Sequence, residues 1–314
     1  MPVTRTDICI AVCTRNRAAQ LREALKSLAA LTRSDDFDWH VLVVDNASED
    51  GTQEVIRNAI SAYQHVTIRS SYEPRAGFAY PRNRAVRETD STWIAFFDDD
   101  QIADPDWLIE LWKAVDRNNA VCVGGVVKLR FVEPSFDPGY YCRKMLGETD
   151  PDAKERPYGP GFEPGTGNLL VRKEVISECG GFPEDHVGRG EDAIIFAKMR
   201  TFGYVAWFTP HAIIHHVIPA RRNCPSAYLA LVKESSNAGD FGWVRWGWRL
   251  PIVSTARLIN FSIVQLPKLI WFRLFGTDTQ RLDQSCQARF SFGRSIAELR
   301  YCLGQLFRRN DPAF

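Results

Sequence analysis

Three aspartates, Asp98, Asp99 and Asp100, stand directly behind an apolar run in "IAFFDDDQIADPDW". Unpaired carboxylates repel one another and resist desolvation. A cation must therefore neutralise them, either arginine side chains or a metal ion. Carboxylate oxygens are hard ligands that suit Mg2+ or Mn2+, which takes few protein groups and fills its shell with phosphate oxygens and water. The bland alternative is a solvated acidic turn that caps the next helix, but the triplet follows "WIAFF" rather than lying in a polar loop. A second acidic pair, Glu191 and Asp192, sits in "GRGEDA" at an expected helix start. Such a pair can complement the helix dipole or supply a general base within hydrogen-bond reach of a hydroxyl. "HAIIHHVIPARR" adds His211, His215 and His216. A histidine at a strand end can complete a metal shell, and strand alternation lets only one of His215 and His216 face the same way. Arg221 and Arg222 follow, either as contacts for diphosphate oxygens or as ordinary surface charge.

These groups must be positioned by a framework, and its elements are legible. "DICIAVCT", "WHVLVVD", "VTIRSSY" and "TWIAFFD" read as strands that are largely apolar. Between the first two, Leu21, Ala24, Leu25, Leu28 and Leu31 recur at helical spacing, as do Val55, Ile56, Ala59, Ile60 and Tyr63 after the second. "GFAYPRNRAVRE" predicts a short helix, and Asp104 with Pro105 opens another that buries Trp107, Leu108, Leu111, Trp112 and Val115. Apolar strands separated by amphipathic helices mean an α/β fold with a mostly parallel central sheet covered on both faces. "AVCVGGVVKLRF" is a fifth strand, and residues 133–165, rich in Pro, Gly and charge, form a long loop of the functional or mobile kind. In open parallel sheets, ligands bind beyond the carboxyl ends of the strands. Three strands end in Thr14-Arg15, in Asp45 and in the aspartate triplet, so these ends would line one pocket.

The bulk numbers agree with an ordinary globular chain of 314 residues, 45% hydrophobic and 25% charged. The formal net charge of +1 excludes a general polyanion binder, and no nucleic-acid partner is expected. Charge is unevenly placed, however. From Arg245 to Arg309 there are eleven Lys and Arg against three Asp and Glu, a surplus of eight, so the remainder carries −7. A basic C-terminal quarter points to an anionic surface such as a membrane, with RNA as the lesser alternative. Eight scattered cysteines with no CxxC fit a reduced, cytoplasmic setting better than disulfides or a zinc site. The N-terminus lacks the apolar stretch of a signal peptide.

In their order along the chain, "CTRNRAAQLREALKSL", "VVDNASEDGT", "EPRAGFAYPRN", "IAFFDDD", "GTGNLLVRK", "GRGEDA" and the later "HH" resemble the family 2 glycosyltransferases over residues 7–220. These are inverting enzymes with the A-type nucleotide-sugar fold. The resemblance implies that Thr14, Arg15 and Asp45 hold a nucleoside, with Arg75 near its base and Arg82 and Asn83 shaping the pocket. It implies that Asp98 faces the ribose, that Asp100 binds a Mn2+ or Mg2+ bridging the diphosphate, and that Asp99 shares the duty. Asp192 would deprotonate the acceptor hydroxyl, Glu191 would orient a neighbouring group, and His216 or His215 would be a further metal ligand. The donor favoured by this likeness is a UDP-sugar, and the acceptor a saccharide or a lipid-linked one. Residues 1–220 are then expected to be the catalytic domain and 221–314 a basic, helical extension.

Processive synthases of the family carry QxxRW and several membrane helices. Here "WVRWGWR" contains Arg245-Trp246, but position 242 is Gly242, so single transfers are expected. The tail "PIVSTARLINFSIVQLPKLIWFRLF" has nearly the length of a membrane span but is interrupted by Arg257, Pro267 and Lys268. It reads either as a basic segment lying on the membrane's cytoplasmic face or as helices packed on the protein or a partner. Two rival functions remain. A sugar-phosphate nucleotidyltransferase would carry a glycine-rich basic loop after the first strand, and "CTRNRAAQ" has no glycine. A non-catalytic nucleotide-sugar-binding scaffold would not need Asp98, Asp100, Asp192 and the histidines together.

Overall fold

The computed structural model describes residues 5–133, 136–149, 153–159, 162–186, 190–236 and 246–309, the last five of these by backbone alone. Gly188, Arg189, Gly242 and Arg245 lie outside the described residues. The chain divides into two compact units, one of Met1–Arg130, Thr149–Val187 and Glu191–Val217, the other of Phe131–Glu148, Gly188–Gly190 and Ile218–Phe314.

The first unit is a sheet with helices on both faces. Its strands are β1 (Thr6–Thr14), β2 (Phe37–Asp45), β3 (Ile68–Tyr72), β4 (Trp93–Asp98), β5 (Gln101–Ala103), β6 (Cys122–Phe131), β7 (Arg156–Pro157), β8 (Asn168–Arg172) and β9 (Ala206–Ile218). They run in the order β3-β2-β1-β4-β8-β6-β9-β5, with β7 on β9. Alternation along β1 shows why both faces must be covered. Ile8, Ile10 and Val12 pack with the helices α1 (Ala18–Ala29), α2 (Thr52–Ala62) and α4 (Trp107–Asn118). Cys9 and Ala11 pack on the other side with α3 (Ala79–Glu88), α6 (Lys173–Glu178) and α7 (Glu191–Thr201). Pro81 is tolerated in the first turn of α3, where an N–H would have no partner within the helix.

The α/β class holds, and the sheet is mixed. β3, β2, β1 and β4 are parallel, whereas β8 runs antiparallel to both β4 and β6, and β5 runs antiparallel to β9. "NLLV" is buried on both faces, and such a run carries no sign of its direction. Register then aligns the strand ends. Thr14 lies opposite Asp45, Asp45 opposite Tyr72, and Cys13 opposite Asp98.

The second unit contains α5 (Tyr140–Met145), which lies inside the expected long loop, and α8 (Pro225–Ser236). It continues with α9 (Leu250–Asn260), a π-helical turn over Phe261–Gln265, α10 (Leu266–Phe275) and α11 (Asp278–Arg309). Asp283 of α11 caps α5, accepting from the Cys142 and Tyr141 amides at 2.7 and 3.0 Å.

Candidate active site

The aspartate triplet is a tight turn. Asp98 ends β4, Asp99 and Asp100 make the corner, and the chain returns as β5. β5 was not anticipated from the sequence, and it does the positioning: Gln101 pairs with His216 of β9, and the Val217 amide donates to the Asp100 carbonyl at 2.9 Å. That ladder places His216 Nε2 3.4 Å from Asp100 Oδ2. His215, on the opposite side of the strand, donates from Nε2 to Asp104 Oδ1 at 2.9 Å instead. The structure therefore separates the two candidate histidines and brings only His216 to the triplet. His211 is exposed.

Two arginines answer the accumulated charge. Arg17, at the N-cap position of α1, places Nη1 2.7 Å from Asp99 Oδ1 and 2.9 Å from Asp100 Oδ2. The turn that presents it is held by Asn16, a residue in the left-handed region with φ 52°, whose Oδ1 accepts from the Glu49 amide at 2.7 Å. Arg82 of α3 is mostly buried, stands 3.8 Å from Asp98 Oδ1 and is ion-paired with Glu191. Burial would weaken the charge on each arginine, but the carboxylates hold both more firmly protonated than usual. Arg17 was not singled out from the sequence, although "TRNR" ends β1 and the triplet demands a cation.

The carboxylates are not equivalent. Burial raises Asp99 to about 6 against the lowering pull of Arg17. The Asp98 side chain keeps 43% of its surface exposed, presenting an edge to a ligand. Burial, and then the adjacent Glu191 charge, raise Asp192 to about 6 while Arg82 opposes them. Glu191 itself is buried in the first turn of α7, and Asp192 accepts from the Ala193 amide at 2.7 Å.

Gly167, within "GTGN", closes the floor. A Cβ there would lie 2.4 Å from both Asp98 Oδ2 and Gln101 Nε2. Gln101 in turn embraces Asp98, accepting from its amide at 3.3 Å. Asn168 next to it is buried and structural: its Oδ1 accepts from Trp107 at 2.8 Å and its Nδ2 reaches the Val126 and Ala212 carbonyls.

Other candidates occupy different surroundings. Thr14 is buried beside Asp99, and Arg15 is exposed. The Asp45 carboxylate accepts from the Ser48 amide at 3.0 Å and from Gln53 at 3.2 Å. Asn83 has both ends of its amide engaged with the Phe182 backbone, at 2.8 and 2.9 Å. Arg75 pairs with Glu73 at 2.9 Å and Glu184 at 3.0 Å and stacks over Tyr80. Asn83 and Arg75 thus belong to a neighbouring network around Glu184 rather than to the triplet. Arg221 and Arg222 lie in the second unit.

The donor set suits a hard divalent cation. Asp100 and His216 lie at a separation compatible with two adjacent ligand positions, and Asp98 shares the turn of Asp100. Among the described residues no group of three or more His, Cys, Asp or Glu is placed to hold a metal ion by itself. A cation that keeps water and phosphate in its shell does not need one.

A pattern described as glycosyl transferase family 2 matches residues 9–180. The succinoglycan biosynthesis protein ExoM of Rhizobium meliloti is 27% identical over 224 residues, covering 71% of this chain and 70% of that protein. The glycosyltransferase AglE of Haloferax volcanii is 28% identical over 263 residues, covering 84% and 81%. In three dimensions the chain is similar to the mannosyltransferase PcManGT of Pyrobaculum calidifontis, solved with GDP-Man and Mn2+. The TM-score is 0.65 at 18% identity, over 95% of this chain and 88% of the other. It is also similar to S. aureus TarS 1–349 with UDP-GlcNAc, at TM-score 0.51 and 14% identity, over 95% and 92%. The fold is the A-type glycosyltransferase fold. Matched by the family pattern over more than half its length, the chain belongs to glycosyl transferase family 2.

Proposed function

We propose that this glycosyltransferase moves a hexose from a nucleoside-diphosphate sugar to an acceptor hydroxyl with inversion, in the synthesis of a polysaccharide or glycoconjugate. The observation that carries the reading is Arg82, which stands between Asp98 of the acidic turn and the Glu191-Asp192 pair, so that donor-binding and base candidates share one charged cluster. The names of relatives in succinoglycan and other glycan synthesis support the pathway class.

Residues 1–220 carry the chemistry in this reading. Asp192 takes the proton from the acceptor hydroxyl. A base raised to about 6 is ionised at neutral pH yet basic enough to receive a proton in the transition state. Glu191 fixes Arg82, and Arg82 opposes the upward push that burial gives Asp98 and orients it toward the ribose side of the donor. Thr14 and Asp45, level with each other at the strand ends, line the nucleoside site, with Arg15 and Arg75 at its exposed margin. Asp100 and His216, with Asp98 and Asp99 beside them, would hold Mn2+ or Mg2+. When bound, such a cation neutralises charge on the departing nucleoside diphosphate. Arg17 already neutralises Asp99 and Asp100, so it keeps the turn folded until donor and cation arrive. His215 has no part in this set because it is held by Asp104. UDP- and GDP-sugars are both candidates, as each is bound by a structure sharing the fold.

The test is release of nucleoside diphosphate from a panel of UDP-, GDP- and dTDP-hexoses with saccharide and lipid-linked acceptors, in Mn2+. Acceptor-dependent release and a product of inverted anomeric configuration are expected. Full turnover by Asp192→Asn would overturn the assignment of the base.

A further inference from the structure

The helical stretch Gly247–Phe275 in the second unit is built inside out. Three of its polar side chains, Ser254, Arg257 and Gln265, turn inward, toward α11. Ser254 Oγ donates at 2.7 Å and Arg257 Nη1 at 2.6 Å to Glu298 Oε2, and Gln284 Nε2 donates at 2.6 Å to Gln265 Oε1. Glu298 is 2% exposed. Leu250 is buried, but six large apolar residues point the other way: Ile252, Ile259, Ile263, Ile270, Trp271 and Leu274 are 54 to 69% exposed. A helix on a protein surface in water shows the opposite arrangement, and an apolar face of this extent marks an interaction site. Among the described residues this is the one helix long and apolar enough to cross a membrane.

Its charge identifies the partner. The stretch contains no Asp or Glu and exposes Arg249, Lys268 and Arg273. A second copy docked two-fold on the same face would set these cations against themselves, whereas an anionic lipid surface complements both the cations and the apolar row. Its neighbour decides the disposition. α9 and α10 both pack on α11, which carries Arg281, Asp283, Arg289, Arg294, Glu298 and Arg300. Crossing the bilayer would carry that charged helix into hydrocarbon, where ionised groups are costly.

We propose that Gly247–Phe275 lies in the plane of an anionic bilayer surface. Its isoleucine and Trp271 face sits at the boundary of headgroups and acyl chains, and α11 remains on the aqueous side. This anchoring rests on the second unit alone and does not depend on the transfer reaction.

The experiment is co-sedimentation of the full chain with phosphatidylcholine vesicles, with and without phosphatidylglycerol. Partition onto anionic vesicles about tenfold or more above the neutral ones is expected. Lys268→Glu with Arg273→Glu should remove that preference, and Ile263→Glu with Trp271→Glu should abolish binding to both vesicle types. All four positions are exposed, and circular dichroism checks that each variant folds. Brominated lipids fix the depth. The quenching lost in Trp271→Phe should be greater with bromines near the headgroup than near the bilayer centre. No vesicle binding by the intact chain would overturn the proposal. So would stronger quenching from the centre, or a dimer that Ile263→Glu converts to monomer without any lipid binding.

Discussion

Arg82 and Glu191, 109 positions apart in the chain, form a buried ion pair that joins α3 to the first turn of α7. The same guanidinium lies 3.8 Å from Asp98, so one side chain links the acidic turn to the candidate base. Removing one partner of a buried pair leaves an uncompensated charge. Arg82→Ala should therefore lower stability by about 3–5 kcal/mol, measured by denaturant unfolding. Arg82→Lys keeps the charge but not the fork geometry. It should retain most of the stability while kcat/KM falls about 100-fold.

The raised Asp192 makes activity depend on pH in a definite direction. Its acid form cannot accept a proton, so kcat/KM should fall about tenfold per pH unit below about 6 and level off above it. Glu191→Gln removes a neighbouring negative charge and leaves Arg82 nearer to Asp192 alone. Both changes lower the Asp192 pKa, so the acid limb should move to lower pH. Asp192→Asn should reduce kcat by about 10²–10⁴-fold with donor affinity unchanged, read by steady-state kinetics beside nucleotide binding.

Gly167→Ala would drive a methyl group against Asp98 and Gln101. Both contacts are side-chain ends, so the fold can give way, but only by displacing Asp98 from its place beside Arg82. The expected result is a modest stability loss of about 1–3 kcal/mol with a rise in donor KM of at least about tenfold. A variant as active as the parent would show that Asp98 does not need its present position.

A remote pair reports on acid stability. Glu155 accepts from Arg117 at 2.6 Å, Asn118 at 2.9 Å and Thr209 at 3.1 Å, and is held down at about 2, chiefly by Arg117. A depressed folded-state pKa stabilises above the unfolded value near 4.5 and loses that stabilisation as pH falls toward 2. Arg117 is 42% exposed, so screening leaves about 1 kcal/mol. Glu155→Gln should cost about that much at pH 7 and nearly nothing at pH 2, by thermal denaturation.

The parallel half of the sheet, its two apolar faces and the aligned strand ends were legible because alternation and helical spacing record burial directly. The triplet's need for a cation was legible too, from charge alone. Which cation was not. Arg17 reaches Asp99 and Asp100 only because Asn16 turns the chain, and nothing in "TRNR" distinguishes Arg15 from Arg17 until that turn is seen. Similarly, His216 and not His215 meets Asp100 because β5 pairs with β9 in one register, and a three-residue strand leaves no periodic trace. Asn83 was named by the resemblance as shaping the pocket, but its engagement with Phe182 depends on contact across 99 positions. The inward polar face of Gly247–Phe275 escaped notice for the same reason, since its partner Glu298 lies on another helix.

The central claim is that the Asp98–Asp100 turn with His216 holds a nucleoside diphosphate together with a divalent cation. It is tested most directly by thermal unfolding of the intact chain and of Asp100→Ala with UDP, GDP or dTDP, each with and without Mn2+. A ligand at 100 times its Kd adds about 2.7 kcal/mol. The account predicts that one nucleotide raises the Tm by several degrees only when Mn2+ is present, and that Asp100→Ala loses the shift while remaining folded. A shift that survives in Asp100→Ala, or none with any nucleotide on the folded parent, would contradict it.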